Sequence, residues 1–457
     1  MDNPDRGALS GRRLKDFDIL LVSANYELDL LYVVKLLKEG GVEPLATSRK
    51  GGPLVVVGGL AAMSNPEPFI EVADAVFVGD GEVLLERLVK AAHLLPDNVD
   101  AFLDSLGEGL YRGVSRVPKV YVQDLDSAPH PTVEIRSRII KPVYGDGFYV
   151  EISRGCRWLC KFCLEAFVMY PYRVRSLARL IKLVEEGLRN VGPRRVVVYS
   201  LSAFDHPAIR ELLRYLIENG IDFSLPSLRW DTVSVEDLDL ISASSQRTLT
   251  IAPEVIDTDL SCFLGKCFIE ERFTELAEGA LRRGFDLKLY LMVGVPGESE
   301  EVLRKAVRYL KRLVDYAREL GRRLSITVNP LVPKPHTPLQ LLPLVPEEAY
   351  QAKVKLLRRE LGRSVVEPLR WTHAFTQALI ALGDRRVGRA LVAASSEGFT
   401  RSAIARAAES LGVDLGYPLR CRDLDEAPWR VAVMPLDRIV EGVSETLKQQ
   451  SRECQPS

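Results

Sequence analysis

From Phe148 onward the chain repeats one pattern six times: a short apolar run, then an amphipathic stretch. The runs are FYVEISRG (148–155), RRVVVYSLS (194–202), IDFSLPSLR (221–229), RTLTIAPE (247–254), DLKLYLMVGVPG (286–297) and LSITVNPLVPKP (324–335). Between them lie segments with helical spacing, such as RSLARLIKLVEEGLRNV (175–191) and KAVRYLKRLVDYAREL (305–320). Strands that alternate with helices pair in parallel and are buried on both faces. Six such units suit a partial (βα)6 barrel better than an open doubly wound sheet. In barrels of this kind the chemistry sits where the strands end.

The same alternation, in smaller form, occupies the start of the chain. FDILLVSANYE (17–27), PLVVVGG (53–59) and DAVFVGDGE (74–82) read as strands, with LDLLYVVKLLKEGG (28–41) and VLLERLVKAAHLL (83–95) as helices. PEPFIEVA, between the second and third strands, reads as a short helix. The overall expectation is an α/β chain in four parts. These are a small Rossmann-like domain (1–110), a linker (111–147), a partial TIM-type barrel (148–342) and a C-terminal helical region (343–457). In that last region EEAYQAKVKLLRREL, FTQALIALGDRRVGRALVAAS and FTRSAIARAAESLG have helical spacing. Residues 1–13 read as an irregular arm.

Composition excludes several classes. With 61 basic and 62 acidic residues, nothing global points to nucleic acid or a membrane surface. No apolar run approaches the length of a membrane helix, and the first residues carry no signal-peptide pattern. A cytoplasmic protein is expected. An odd count of 7 Cys, none before Cys156, does not look like a disulfide framework.

Three of those cysteines crowd the end of the first barrel strand, in RGCRWLCKFC: Cys156, Cys160 and Cys163, spaced C-x3-C-x2-C. A structural zinc site wants four ligands, usually as two separated pairs. Three thiolates on one loop suit a cubane [4Fe–4S] cluster with one iron left open. Arg154, Arg157 and Lys161 offer positive charge nearby. The alternative is a non-catalytic iron–sulfur or zinc protein, an electron carrier or an RNA-binding module. That alternative accounts for the cysteines but not for the six βα units.

The stretch resembles the signature of the radical S-adenosylmethionine (radical SAM) enzymes, C-x3-C-x-φ-C, with Phe162 as the aromatic φ. The resemblance implies a partial βα barrel and a [4Fe–4S] cluster whose open iron binds the amino and carboxylate groups of SAM. It implies reductive cleavage of SAM to methionine and a 5′-deoxyadenosyl radical. It also implies a small electron donor such as ferredoxin or flavodoxin. VGVPGES resembles the family's fifth-strand pattern, with Gly294, Gly297 and Glu298 near the adenine. Glu254 ends the fourth strand and could reach the ribose or the amine. The Gly-Gly-Glu segment that contacts the SAM amine in many members is absent, and Ser200, Ser202 and Asp205 stand there instead. Ser227, Arg229, Lys334 and His336 lie at other strand ends as substrate candidates. Catalytic residues and substrate, whether small molecule, RNA or protein, are left open. Cys262 and Cys267 could ligate a second cluster, relay electrons or simply be small buried residues.

GG (58–59), NPEP (65–68), GDGE (79–82), GDRR (383–386) and PW (428–429) resemble the radical SAM subgroup with an N-terminal cobalamin-binding-like domain. Cobalamin, and methyl transfer from it, is therefore an expectation. The D-x-H-x-x-G motif of many cobalamin domains is missing, so cobalamin binds without a protein histidine or the domain is a remnant. Methylthiotransferases carry three further cysteines before the barrel, and this chain has none there.

Overall fold

The computed structural model describes residues 6–454, except 8, 134, 136–139 and 193. The first five residues of the expected N-terminal arm and the last three of the polar tail lie outside the described residues. Strands Ile19–Ser23, Leu54–Gly58 and Ala75–Phe77 pair in parallel, in that order, with helices Asp29–Glu39 and Gly81–Ala91 between and after them. The sheet gains a fourth, antiparallel edge, Leu110–Tyr111. Helix Val99–Ser105, capped by Asn98 Oδ1 on the Ala101 N–H at 3.0 Å, precedes it. Both elements fall where the sequence suggests loop or boundary, because they are too short to show a period. Helix Leu60–Ser64 is hidden from the sequence for the same reason.

The barrel comes in two sheets. Phe148–Glu151, Arg195–Tyr199 and Asp222–Ser224 form one. Thr248–Glu254, Asp286–Val293 and Leu324–Pro330 form the other, with a further parallel strand, Val366–Pro368, from the C-terminal region. A single parallel bridge, Leu228 to Ile251, joins the sheets. The six expected strands are therefore present, in one parallel circuit with a short seventh at its end. Along Asp286–Val293 burial alternates strictly. Leu287, Leu289, Leu291 and Val293 are buried in the main core, whereas Lys288, Tyr290 and Met292 lie half-buried on the opposite face, Lys288 3.8 Å from Glu367 and Met292 against the cluster around Val255 and Val295. Each buried aliphatic side chain on that row contributes about 1.5–3 kcal/mol. The outer helices follow the same logic. Leu177–Val191 starts at Ser176, whose Oγ accepts from the Arg179 N–H, and Glu300–Glu319 starts at Ser299, whose Oγ accepts from the Val302 N–H.

The first domain does not close its core alone. Val55, Val57, Val76 and Phe69 pack with Leu379, Ile380, Leu391 and Ile404 of the C-terminal helices and with Leu164 and Val168 of the barrel. Strand Val117–Pro118 pairs with Ala432–Val433, near the other end of the chain. The motifs NPEP and GDRR touch. Asn65 donates to the carbonyls of Ala381 and Gly383, and Glu67 pairs with Arg385 at 2.9 Å. Among the described residues no helix is long and apolar enough to cross a membrane.

Candidate active site at the barrel mouth

Strand Phe148–Glu151 ends in a tight loop. Gly155 holds φ +79°, and a Cβ there would lie 2.7 Å from the carbonyl oxygens of Met169 and Pro171. Only glycine turns here without a clash. The chain then passes Cys156 and Cys160 and enters helix Leu164–Val168 with Cys163 at its N-cap. The Cys163 N–H donates to the Cys160 carbonyl at 2.9 Å, and the Lys161 N–H to the Leu264 carbonyl at 2.9 Å. Burial pushes the Cys156 and Cys163 thiols up from their ordinary range. A buried thiol held neutral is released as thiolate by a metal. Cys156, Cys160 and Cys163 are free thiols on one loop, and three thiolates leave one corner of a cubane cluster open, whereas a structural zinc wants four protein ligands.

The other four cysteines form disulfides, Cys262–Cys267 and Cys421–Cys454, with Cα separations of 4.0 and 5.5 Å. The cysteine count does not look like a disulfide framework, yet four of the seven are paired, which removes Cys262 and Cys267 as ligands of a second cluster. The cross-link closes the turn after helix Thr258–Leu264, and that turn backs the cysteine loop. Its Phe263 carbonyl accepts from Lys161 Nζ, and the Gly265 carbonyl lies 3.5 Å from Cys160 Sγ.

The cation at the sulfurs is not one of those expected. Arg154 points toward the first domain, pairing with Asp80, Glu82 and Glu151. Lys161 lies over the Phe263 ring, and Arg157 is exposed. Arg229 reaches in instead. Its Nη1 donates to Cys160 Sγ at 3.1 Å, its Nη2 to Asp231 at 2.7 Å, and its guanidinium stacks 4.0 Å above the Trp158 ring. Burial opposes its charge, but the Cys160 and Asp231 partners outweigh that and raise its pKa. Its guanidinium is therefore placed against the sulfur. Ser227, two residues earlier, is exposed.

Phe162 packs with Val255, Leu264, Val295 and Leu331 at the ends of the later strands. Ser200 Oγ bonds Ser153 Oγ at 2.7 Å and accepts from the Ser202 N–H. Ser202 Oγ is buried without a partner among the described residues, an open polar atom of the kind a bound ligand satisfies. Asp205 accepts from Trp158 Nε1. Glu254 sits at φ +65°, an unusual conformation for a non-glycine residue, and pairs with Lys266 at 3.0 Å. Gly294 has φ +77°, and a Cβ there would strike Val345 at 2.6 Å. Gly297, at φ +81°, has room for a Cβ. Glu298 turns back on its own loop, accepting from the Gly294 N–H at 2.6 Å and Lys353 Nζ at 2.8 Å.

Lys334 and His336 do not face the mouth as free side chains. Lys334 pairs with Glu27 of the first domain, which also accepts from Gln377 of the C-terminal helices. His336 joins the Ser64 carbonyl and Asp437, each at 2.8 Å. Both are staples between the chain's parts. Glu165, which the sequence offers no reason to single out, lies two residues past Cys163. Burial raises its pKa, and its charge acts on Lys334, Tyr144 and Tyr199. Its only signal is its position on the first turn after the cysteines.

Two family models match the chain: "Radical SAM proteins, N-terminal" over residues 5–122 and "Radical SAM superfamily" over 150–310. The chain belongs to the radical SAM superfamily. As a radical SAM enzyme it uses a [4Fe–4S] cluster and SAM. It is 29% identical to an uncharacterized protein of Methanocaldococcus jannaschii over 83% of this chain and 81% of that one. The hopanoid C-3 methylase of Methylococcus capsulatus is 27% identical over 41% of this chain and 35% of its own length. The ribosomal protein uS12 methylthiotransferase RimO of Syntrophotalea carbinolica is 24% identical over 40% of this chain and 42% of its own length. The fold is shared with TsrM of Kitasatospora setae, a radical SAM methyltransferase solved with cobalamin and a [4Fe–4S] cluster bound. The TM-score is 0.54 at 15% identity, over 86% of this chain and 88% of that one.

Proposed function

We propose that this radical SAM enzyme binds its cluster through Cys156, Cys160 and Cys163, and SAM across the strand ends that carry Ser202, Glu254 and Gly294. The observation that carries this reading is the separation of cysteine states: three free thiols on the loop after the first barrel strand, and the other four paired. When bound and reduced, the cluster supplies the electron that splits SAM into methionine and a 5′-deoxyadenosyl radical. The chain's own residues supply placement. Gly155 and the Leu264 carbonyl fix the loop, Phe162 fills the apolar floor beside it, and Ser202 offers an unspent hydroxyl. We take the domain division as 1–110, 111–147, 148–342 and 343–457, with the last part completing the first domain and the barrel.

Methyl transfer from cobalamin is the form of the reaction we favour. Its support is the carboxyl end of the first parallel strand pair, where Ser23, Asn25 and Tyr26 are exposed and Ser23 stands in register with Gly58. His93 does not reach it; its ring bonds the Lys90 carbonyl on the domain's own helix. Cobalamin would be held there without a histidine ligand. The experiment is anaerobic reconstitution with iron and sulfide, reduction, addition of SAM, and mass spectrometry for 5′-deoxyadenosine, with Cys160→Ala as control. Deoxyadenosine from the wild type alone is the expected result. Protein that takes up one zinc and no iron would defeat the reading.

A further inference from the structure

Arg229 is built into its position from every side. It is 7% exposed, in the loop after strand Asp222–Ser224. Trp158 lies flat beneath the guanidinium and is itself anchored through Nε1 to Asp205. Asp231 takes one N–H, and the Gly265 carbonyl lies 3.4 Å from the same nitrogen. Nε lies 2.7 Å from the other Asp231 oxygen, and Nη1 is aimed at Cys160 Sγ. Among the described residues no other charged side chain donates to any of the three sulfurs. A charged donor to a metal-bound thiolate stabilises negative charge added to the metal site, most of all where water is excluded.

We propose that Arg229 is a positioning residue that sets the reduction potential of the cluster, by donating a charged N–H to Cys160 Sγ. This rests on the reading of the three cysteines as cluster ligands. In the step concerned, one electron passes from an external low-potential donor to the cluster. No proton moves and no bond breaks. The added negative charge is what the guanidinium stabilises, so its presence makes reduction easier. Asp231 offsets part of that cation, which gives a control of opposite sign.

The test reconstitutes wild type, Arg229→Gln, Arg229→Lys and Asp231→Asn with iron and sulfide. Iron is counted, and the EPR signal of the reduced cluster is followed at poised potentials. At any given potential Arg229→Gln is expected to hold about tenfold less reduced cluster relative to oxidised, about 59 mV lower for one electron. Arg229→Lys is expected between the two, and Asp231→Asn above wild type. Full iron loading with both Arg229→Gln and Asp231→Asn titrating as wild type overturns the proposal. If Arg229→Gln loads no iron, Asp231→Asn decides: an upward shift supports the assignment, and an unmoved potential overturns it. Wild type that takes up no iron defeats the cluster reading itself, a result distinguishable from a loaded cluster with an unmoved potential.

Discussion

Two histidines near the barrel's first strands, His206 buried and His130 half-buried, are locked as neutral rings. His206 accepts from the Ala208 N–H through Nδ1, so its Nε2 must donate to the Arg175 carbonyl at 2.8 Å. His130 accepts from the Glu151 N–H through Nε2 and donates through Nδ1 to the Pro131 carbonyl. Burial lowers the pKa of both. As pH falls below about 6.5 the unfolded chain takes up these protons first. It then binds more protons than the native state, and stability falls. Above that pH neither state is charged and the rings contribute nothing to the slope. His206→Gln should therefore flatten the loss of stability between about pH 6.5 and 5. It should also lower stability at pH 8 by about 1–2 kcal/mol through a lost hydrogen bond. Thermal melts across pH check both. Gly155→Ala is a sharper change. With φ +79° and two carbonyls 2.7 Å from the new Cβ, it should cost about 1–3 kcal/mol and sharply reduce iron uptake, read by colorimetric iron assay.

At the scale of elements, the turn after helix Thr258–Leu264 is a brace for the cysteine loop, and its disulfide is a clamp on that brace. A cross-link across so short a loop contributes about 2 kcal/mol by chain entropy. The Cys262→Ser, Cys267→Ser pair should lower the melting temperature, and reconstituted cluster should lose iron to EDTA faster. Dithiothreitol should speed iron loss in wild type to the variant's rate and leave the variant's iron loss unchanged, and the melting temperatures are compared under non-reducing conditions because both proteins keep Cys421–Cys454. Equal iron-loss rates in the two proteins would show that the turn does not support the cluster. The sequence revealed the strands on both sides of this contact because each is long enough to display its period. The three cysteines were legible because their spacing is local. What was not legible depends on loops meeting across the barrel. Nothing in SLPSLRWD says that Arg229 turns to Cys160 rather than to the lumen. Nothing in NPLVPKPHTP says that its two basic side chains are consumed by Glu27 and Asp437. Strand Val366–Pro368 was hidden because three residues show no alternation.

In the whole molecule the first domain, the barrel and the C-terminal helices meet at a few buried polar points. Lys334 and Glu27 are energetically exposed to failure because both are largely withdrawn from water: the Glu27 side chain is 3% exposed and that of Lys334 12%, and burial lowers the Lys334 pKa. Glu27→Gln leaves Lys334 buried and unpaired, and should cost about 3–5 kcal/mol. Glu27→Gln with Lys334→Met should recover most of that loss. Urea unfolding of the single and double variants measures the coupling. An additive result would mean that the pair does not act as a unit.

The pairing of Val117–Pro118 with Ala432–Val433 also sets an order of events on the ribosome. The first domain to emerge is the last to be finished. Its apolar face, which Leu379, Ile380 and Leu391 later cover, stays bare while more than two hundred and fifty intervening residues are synthesised. A nascent chain of this design has reason to engage a chaperone until its own C-terminal end arrives to replace it.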